Sequence, residues 1–171
     1  MSTDSRINSH YVAAGALKDA RVMEALLGEL PASHQMELSG FTLGLVNGDD
    51  INAQVRHDVV EPDFITRILV PNPDSSVGVR MYTGLTTEQL DRIAMFALEG
   101  IATQRSTISL GEIEAVGEAQ VHCLRRGIPF EELPGKDREV FPNGFEGTIQ
   151  AAEQTRMRFE ERRRGPSPER R

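Results

Sequence analysis

The stretch ILVPNPDSSVGVRMYTGLTTEQLDRIAMFALEG, residues 68–100, decides how the chain folds. Its second half predicts a helix over 86–98. Thr86 is followed three places on by Gln89, the spacing at which each side chain satisfies the other's backbone N–H at a helix start. Leu90, Ile93, Ala94, Ala97 and Leu98 then recur on one helical face. Gly100 is a stop signal. The first half predicts strands at 64–70 (FITRILV) and 77–83 (VGVRMYT), rich in β-branched and aromatic residues. Pro71-Asn-Pro-Asp-Ser-Ser76 lies between them and reads as a hairpin-like loop.

Upstream, residues 9–14 predict a short strand. It runs into YVAAGALKD, residues 11–19, in which four successive positions carry almost no side chain. A helix follows over 19–28, with Asp19 as N-cap, Val22, Met23, Leu26 and Leu27 as its apolar stripe, and Gly28 as its stop. Pro31 confirms the break. Residues 35–46 (QMELSGFTLGLV) are β-like, Asn47-Gly-Asp-Asp50 signals a turn, and the polar segment 51–63 reads as a surface loop.

Downstream, 103–110 and 117–125 (TQRSTISL and GEAQVHCLR) predict two strands, with Gly111 and Gly117 bracketing their connection. Beyond Gly127, prolines and glycines mark an irregular segment, then a helix from about 145 to 163. Residues 1–8 read as a flexible arm, 9–127 as one domain, 128–163 as a C-terminal extension with a helix, and 164–171 as a disordered tail. The fold class is α+β: a small mixed β-barrel or curved sheet with flanking helices.

The 171-residue chain is long enough for one domain with a real core. A net charge of −7 argues against a nucleic-acid partner and favours a soluble protein with small-molecule or protein partners, here a small-molecule substrate. One cysteine, Cys123, excludes an intrachain disulfide. There is no secretory signal pattern and no apolar run near the about 18 residues that span a bilayer. The expectation is a cytoplasmic protein without a membrane partner, as monomer or homodimer. His10, His34, His57 and His122 lack metal-ligand spacing, so no metal is expected. His122 and Cys123 are neighbours in a predicted strand and should face opposite ways, which weakens a Cys–His nucleophile.

Two places could carry chemistry. Glu99 closes the predicted helix 86–98, where the partial negative charge of the helix end disfavours a carboxylate. The apolar residues before it act in the same direction, so its pKa should be raised. That suits a general acid/base near neutral pH; the alternative is an exposed glutamate at a frayed helix end. The second place is the small-residue turn at Ala14-Gly15-Ala16-Leu17. Backbone N–H groups there could cradle an anion, or the turn could simply be a tight strand–helix junction. The interleaved arginines and glutamates of 153–164 read as a solvated helix face. Phe130, Phe141, Phe145 and Phe159 read as anchors of the C-terminal segment.

The ordered set YVAAGALKD…ALLG, ELSGFTLGLV and residues 68–100 resembles the gamma-glutamylcyclotransferase-like family, which includes the gamma-glutamylamine cyclotransferases. The likeness covers roughly residues 10–125. It implies a small mixed barrel and cofactor-free cleavage of a γ-glutamyl amide. The substrate's α-amine attacks its own γ-carbonyl, forming 5-oxoproline and releasing an amine. By the same resemblance Glu99 is the acid/base, Gly15, Ala16 and Leu17 hold the glutamyl group, and Tyr11, Ala14 and Arg105 complete the substrate site. The chain departs from the family at Ala14, Ala16 and Thr103, where relatives carry an aromatic, a Ser/Thr and a tyrosine. That widens the pocket at Ala14. It leaves open a non-catalytic binding protein on the same scaffold, or other acid/base chemistry such as isomerisation.

Overall fold

A computed structural model describes residues 9–56, 60, 64–110, 117–132 and 144–164. The expected arm at 1–8, most of the expected tail, and Phe141 lie outside the described residues. The order is β1 (Ser9–Ala13), a 3-10 turn (Gly15–Lys18), α1 (Ala20–Leu27), β2 (Ser33–Asn47), α2 (Gly48–Val55) and β3 (Ile65–Leu85). Then come α3 (Thr87–Phe96), β4 (Thr103–Ser109), β5 (Glu118–Leu124), β6 (Glu131–Glu132) and α4 (Gly144–Arg164). Among the described residues the strands form one curled six-stranded sheet in the order β4-β5-β1-β3-β2-β6, mixed because β5 runs parallel to β1 and β3. The α+β expectation holds.

Two expectations are corrected. Residues 64–70 and 77–83 do not form a hairpin. Both belong to β3 and pair end to end with one partner, β2: Phe41 faces Pro71, and Ser39 faces Ser76. Residues 72–75 therefore bulge out opposite the single residue Gly40, whose φ of 87° bends β2 at that point. The prolines break the ladder without reversing the chain, because each removes only its own N–H donor. Asn72 accepts from the backbone of Asp74 at 3.0 Å and closes the bulge locally. The chain instead reverses between the end of β2 at Asn47 and the start of β3 at Ile65. The first part of that span, read as turn and loop, is α2. Asp49 and Asp50 in its first turn favour the helix N-terminus. Ile51 is buried, and the Asn52 amide donates to the carbonyl of Val60 at 2.8 Å.

The sheet buries both faces by period-2 alternation. Tyr11, Ala13, Tyr82 and Leu85 face α1, α3 and α4 in one core, with Val22, Met23, Leu26 and Ile93. Val12, Leu69, Val79, Met81, Val121 and Cys123 face the inside of the curl. Three predicted helix details hold: Asp19 caps α1, Gly28 ends it at φ 81°, and Thr86 and Gln89 make the reciprocal cap of α3. Arg92 crosses from α3 to the last carbonyls of α1, donating to Leu27 at 3.1 Å. Its guanidinium lies 5.1 Å from the Phe159 ring of α4. Among the described residues no helix is long and apolar enough to cross a membrane.

Candidate active site

The site begins where α3 stops. The helix ends at Phe96, two residues earlier than expected, so Glu99 lies beyond it. Ala97 is the C-cap and Leu98 takes the left-handed conformation at φ 58°. The N–H of Glu99 reaches back to Ala94 at 3.0 Å and that of Leu98 to Met95 at 3.3 Å, the paired bonds of a Schellman cap. Glycine is the usual residue at Leu98's position, and a leucine there stores strain. The turn is clamped from outside. The Thr103 hydroxyl donates to the Ala97 carbonyl at 2.9 Å, and Arg125 donates to Gly100 and Ile101 at 2.7 and 3.0 Å. Glu99 thus projects from a fixed backbone.

Its carboxylate meets two partners from neighbouring strands. Arg105 on β4 donates through Nε at 2.7 Å and lies 3.5 Å from Asp91 on α3. His122 on β5 places Nε2 at 2.9 Å from Oε1 of Glu99. The register brings these together, because Arg105 pairs directly with His122 across the two strands. The expected rise in Glu99's pKa is overturned. Hydrogen bonding from Arg105, with help from His122, holds the carboxyl below its ordinary value despite partial desolvation. Burial, opposed by Glu99, pushes His122 below the ordinary histidine value. The neutral imidazole and ionised carboxylate assign the tautomer. Nε2–H donates to Glu99, and Nδ1 accepts from the Tyr11 hydroxyl at 2.8 Å. Burial raises the Tyr11 pKa, so the phenol keeps its proton.

The turn after β1 closes the other side. Gly15 has φ 67°, and a Cβ there would sit 2.7 Å from the backbone oxygen of Arg67 on β3. Only glycine allows that approach. Tyr82 then donates to the Leu17 carbonyl at 2.8 Å, and Arg80 to that of Lys18 at 3.2 Å. Between this turn, β3, β5 and the end of α3 lies a cavity of about 80 Å³. Tyr11, Ala14, Ala16, Leu17, Thr103 and His122 contribute to its lining. Four predicted site residues, Tyr11, Ala14, Ala16 and Leu17, therefore share one cavity. Gly15, Glu99 and Arg105 are not among its described lining residues. Gly15 shapes the turn, Glu99 joins the cavity through His122, and Arg105 is bonded in turn to Glu99.

His122 does not stand out in the sequence, because the four histidines form no cluster there. The missed signal was register. Folding 103–125 symmetrically about its bracketing glycines sets Arg105 opposite His122 to within a residue. The expectation that His122 and Cys123 diverge holds: Cys123 lies in the inner core with its thiol pushed up to about 11 by burial, which leaves it inert. Among the described residues no group of three His, Cys, Asp or Glu could hold a metal ion.

This architecture is that of a known enzyme. A solved gamma-glutamyl cyclotransferase superposes with a TM-score of 0.53 over 95% of this chain and 89% of its own, at 12% identity. The chain has the gamma-glutamyl cyclotransferase fold. A solution structure of an Arabidopsis thaliana protein shares it at a TM-score of 0.51 and 15% identity, covering 95% of this chain and 94% of that one. An uncharacterized protein from Homo sapiens gives 0.50 at 10% identity, covering 94% and 89%. No protein-family model matches the sequence, and no curated protein matches it significantly. The gamma-glutamyl cyclotransferase fold is thus carried here by architecture, on a sequence far from those of its structural neighbours.

Proposed function

We propose that this protein is a cofactor-free cyclotransferase acting on a γ-glutamyl amide, with Glu99 as its acid/base. The observation that carries the reading is the shared cavity. It is lined both by the turn after β1 and by the imidazole bonded to Glu99. The glutamyl head would occupy it, and the amine half would project outward. Attack within one molecule needs little beyond a curled, fixed substrate. Glu99, ionised at rest, is in the form a base requires. The backbone of the Gly15 turn would face the substrate's carboxylate or the developing oxyanion.

The test is to incubate the protein with a panel of γ-glutamyl amines and measure 5-oxoproline. The wild type should release it, and Glu99→Gln should lower turnover by about 100-fold or more. Full turnover in Glu99→Gln would overturn the role of Glu99. The tight Arg105–Glu99 pair favours one second reading, a binding protein that keeps Glu99 as a structural anion. That reading predicts binding of a γ-glutamyl amine with no 5-oxoproline from the wild type.

A further inference from the structure

We infer that Tyr11 and His122 form a proton relay between the cavity and Glu99, with the Tyr11 hydroxyl as the group that meets the substrate's amine. The inference rests on the cyclotransferase reading and specifies how its proton moves. Tyr11 and His122 line the cavity, whereas Glu99 lies on the far nitrogen of the imidazole. A substrate nitrogen in the cavity therefore encounters the phenol before the carboxylate. The three groups form one bonded series, at 2.8 Å from Tyr11 to His122 and 2.9 Å from His122 to Glu99. The rings of Tyr11 and His122 also pack against each other with centroids 5.5 Å apart. The His122 side chain is 5% exposed, against 33% for Glu99, so the imidazole separates the cavity from the solvent-facing carboxylate.

The arrangement works as a hydroxyl–imidazole–carboxylate series does elsewhere. The substrate's α-ammonium gives one proton to the Tyr11 oxygen while Tyr11 passes its own to Nδ1 of His122. His122 in turn passes its Nε2 proton to the Glu99 carboxylate, so that Tyr11 is unchanged, the imidazole is neutral again and the α-amine is free. The free amine attacks the γ-carbonyl, a C–N bond forms, and the amide C–N bond breaks. The ring nitrogen's second proton and the proton held on Glu99, returned through His122 and Tyr11, both end on the departing nitrogen. It leaves as an ammonium, and the relay returns to its starting state. Tyrosinate never forms, in keeping with the depth at which the phenol is buried.

Steady-state kinetics on Tyr11→Phe, His122→Gln, Glu99→Gln and the Tyr11→Phe/Glu99→Gln double variant test this. Tyr11→Phe should lower kcat by about 100-fold or more while changing KM by less than about threefold. The double variant should be no slower than Glu99→Gln alone, because groups acting as one unit are non-additive. Unchanged kcat in Tyr11→Phe, with Glu99→Gln inactive, would overturn the relay and leave the cyclotransferase reading intact. Fully multiplying losses would also overturn it. If the wild type yields no 5-oxoproline, the cyclotransferase reading falls, and the relay's catalytic role with it. Nitrogen-15 NMR of His122 then decides the bonded series alone. Protonation at Nε2, with the Nδ1 resonance moving in Tyr11→Phe, supports it; the opposite tautomer or an unmoved resonance refutes it.

Discussion

Leu98 and Gly15 both sit at positive φ, and both shape the candidate site by doing so. Leu98 turns the chain so that Glu99 leaves the helix and meets β4 and β5. Gly15 lets the turn after β1 approach the backbone of Arg67. Gly15→Ala should cost about 2–4 kcal/mol, combining left-handed strain with a backbone clash, and a urea titration would read it as a lower midpoint. A midpoint unchanged by this variant would mean that the approach is not needed. The site also has a pH signature. Glu99 is held below its ordinary 4.5, so its stabilisation is present above that value and lost as pH falls through the window beneath it. His122 is held below its ordinary 6.5, so the unfolded chain binds more protons below 6.5 and stability declines as pH falls from there. Unfolding midpoints measured against pH should therefore fall in two overlapping stages. His122→Gln should flatten the upper one and Glu99→Gln the lower. At this scale the sequence pointed to Glu99 but misjudged its charge state, because local helix-end electrostatics ignored an arginine that a turn and a strand pairing bring back against it.

Among the elements, α3 was the most legible, since its cap and its apolar stripe both lie within adjacent turns. Thr86→Ala should remove the reciprocal cap and lower stability by about 1 kcal/mol, read by thermal or urea unfolding. The strands were less legible. Two apolar runs flanking a Pro-Asn-Pro segment satisfy either a hairpin or a bulge. The choice rests on β2, which offers one long partner bent at Gly40. Helix α2 was hidden because its one strongly buried apolar residue, Ile51, gives no periodicity, and Gly48-Asp-Asp50 mimics a turn. Local chemistry was readable in each case; pairing across distant segments was not.

For the whole molecule, the C-terminal helix belongs to the same core as the helices before it. Phe145 and Ile149 pack against the cluster of α1, α3 and the sheet, and Ala152 is fully buried within it. The Arg21 guanidinium lies 4.2 Å from the Phe145 ring, and Arg156 pairs loosely with Glu160 at 3.8 Å. Ala152→Asp, which buries a charge, should destabilise the protein by about 3 kcal/mol or more, seen as a large drop in Tm. A variant as stable as the wild type would show that α4 does not complete this core. The curled α+β sheet was legible from the order of strands and helices. The site was legible in part: the turn and the glutamate stood out, while the histidine joining them depended on strand register.

The central claim is that the cavity beside Tyr11, His122 and the Gly15 turn receives the γ-glutamyl head. A crystal structure of the protein soaked with 5-oxoproline tests it most directly. The ring should occupy that cavity, with a polar atom within hydrogen-bond reach of the Tyr11 hydroxyl. Finding the cavity empty, with the ligand elsewhere or absent at saturating concentration, would contradict it.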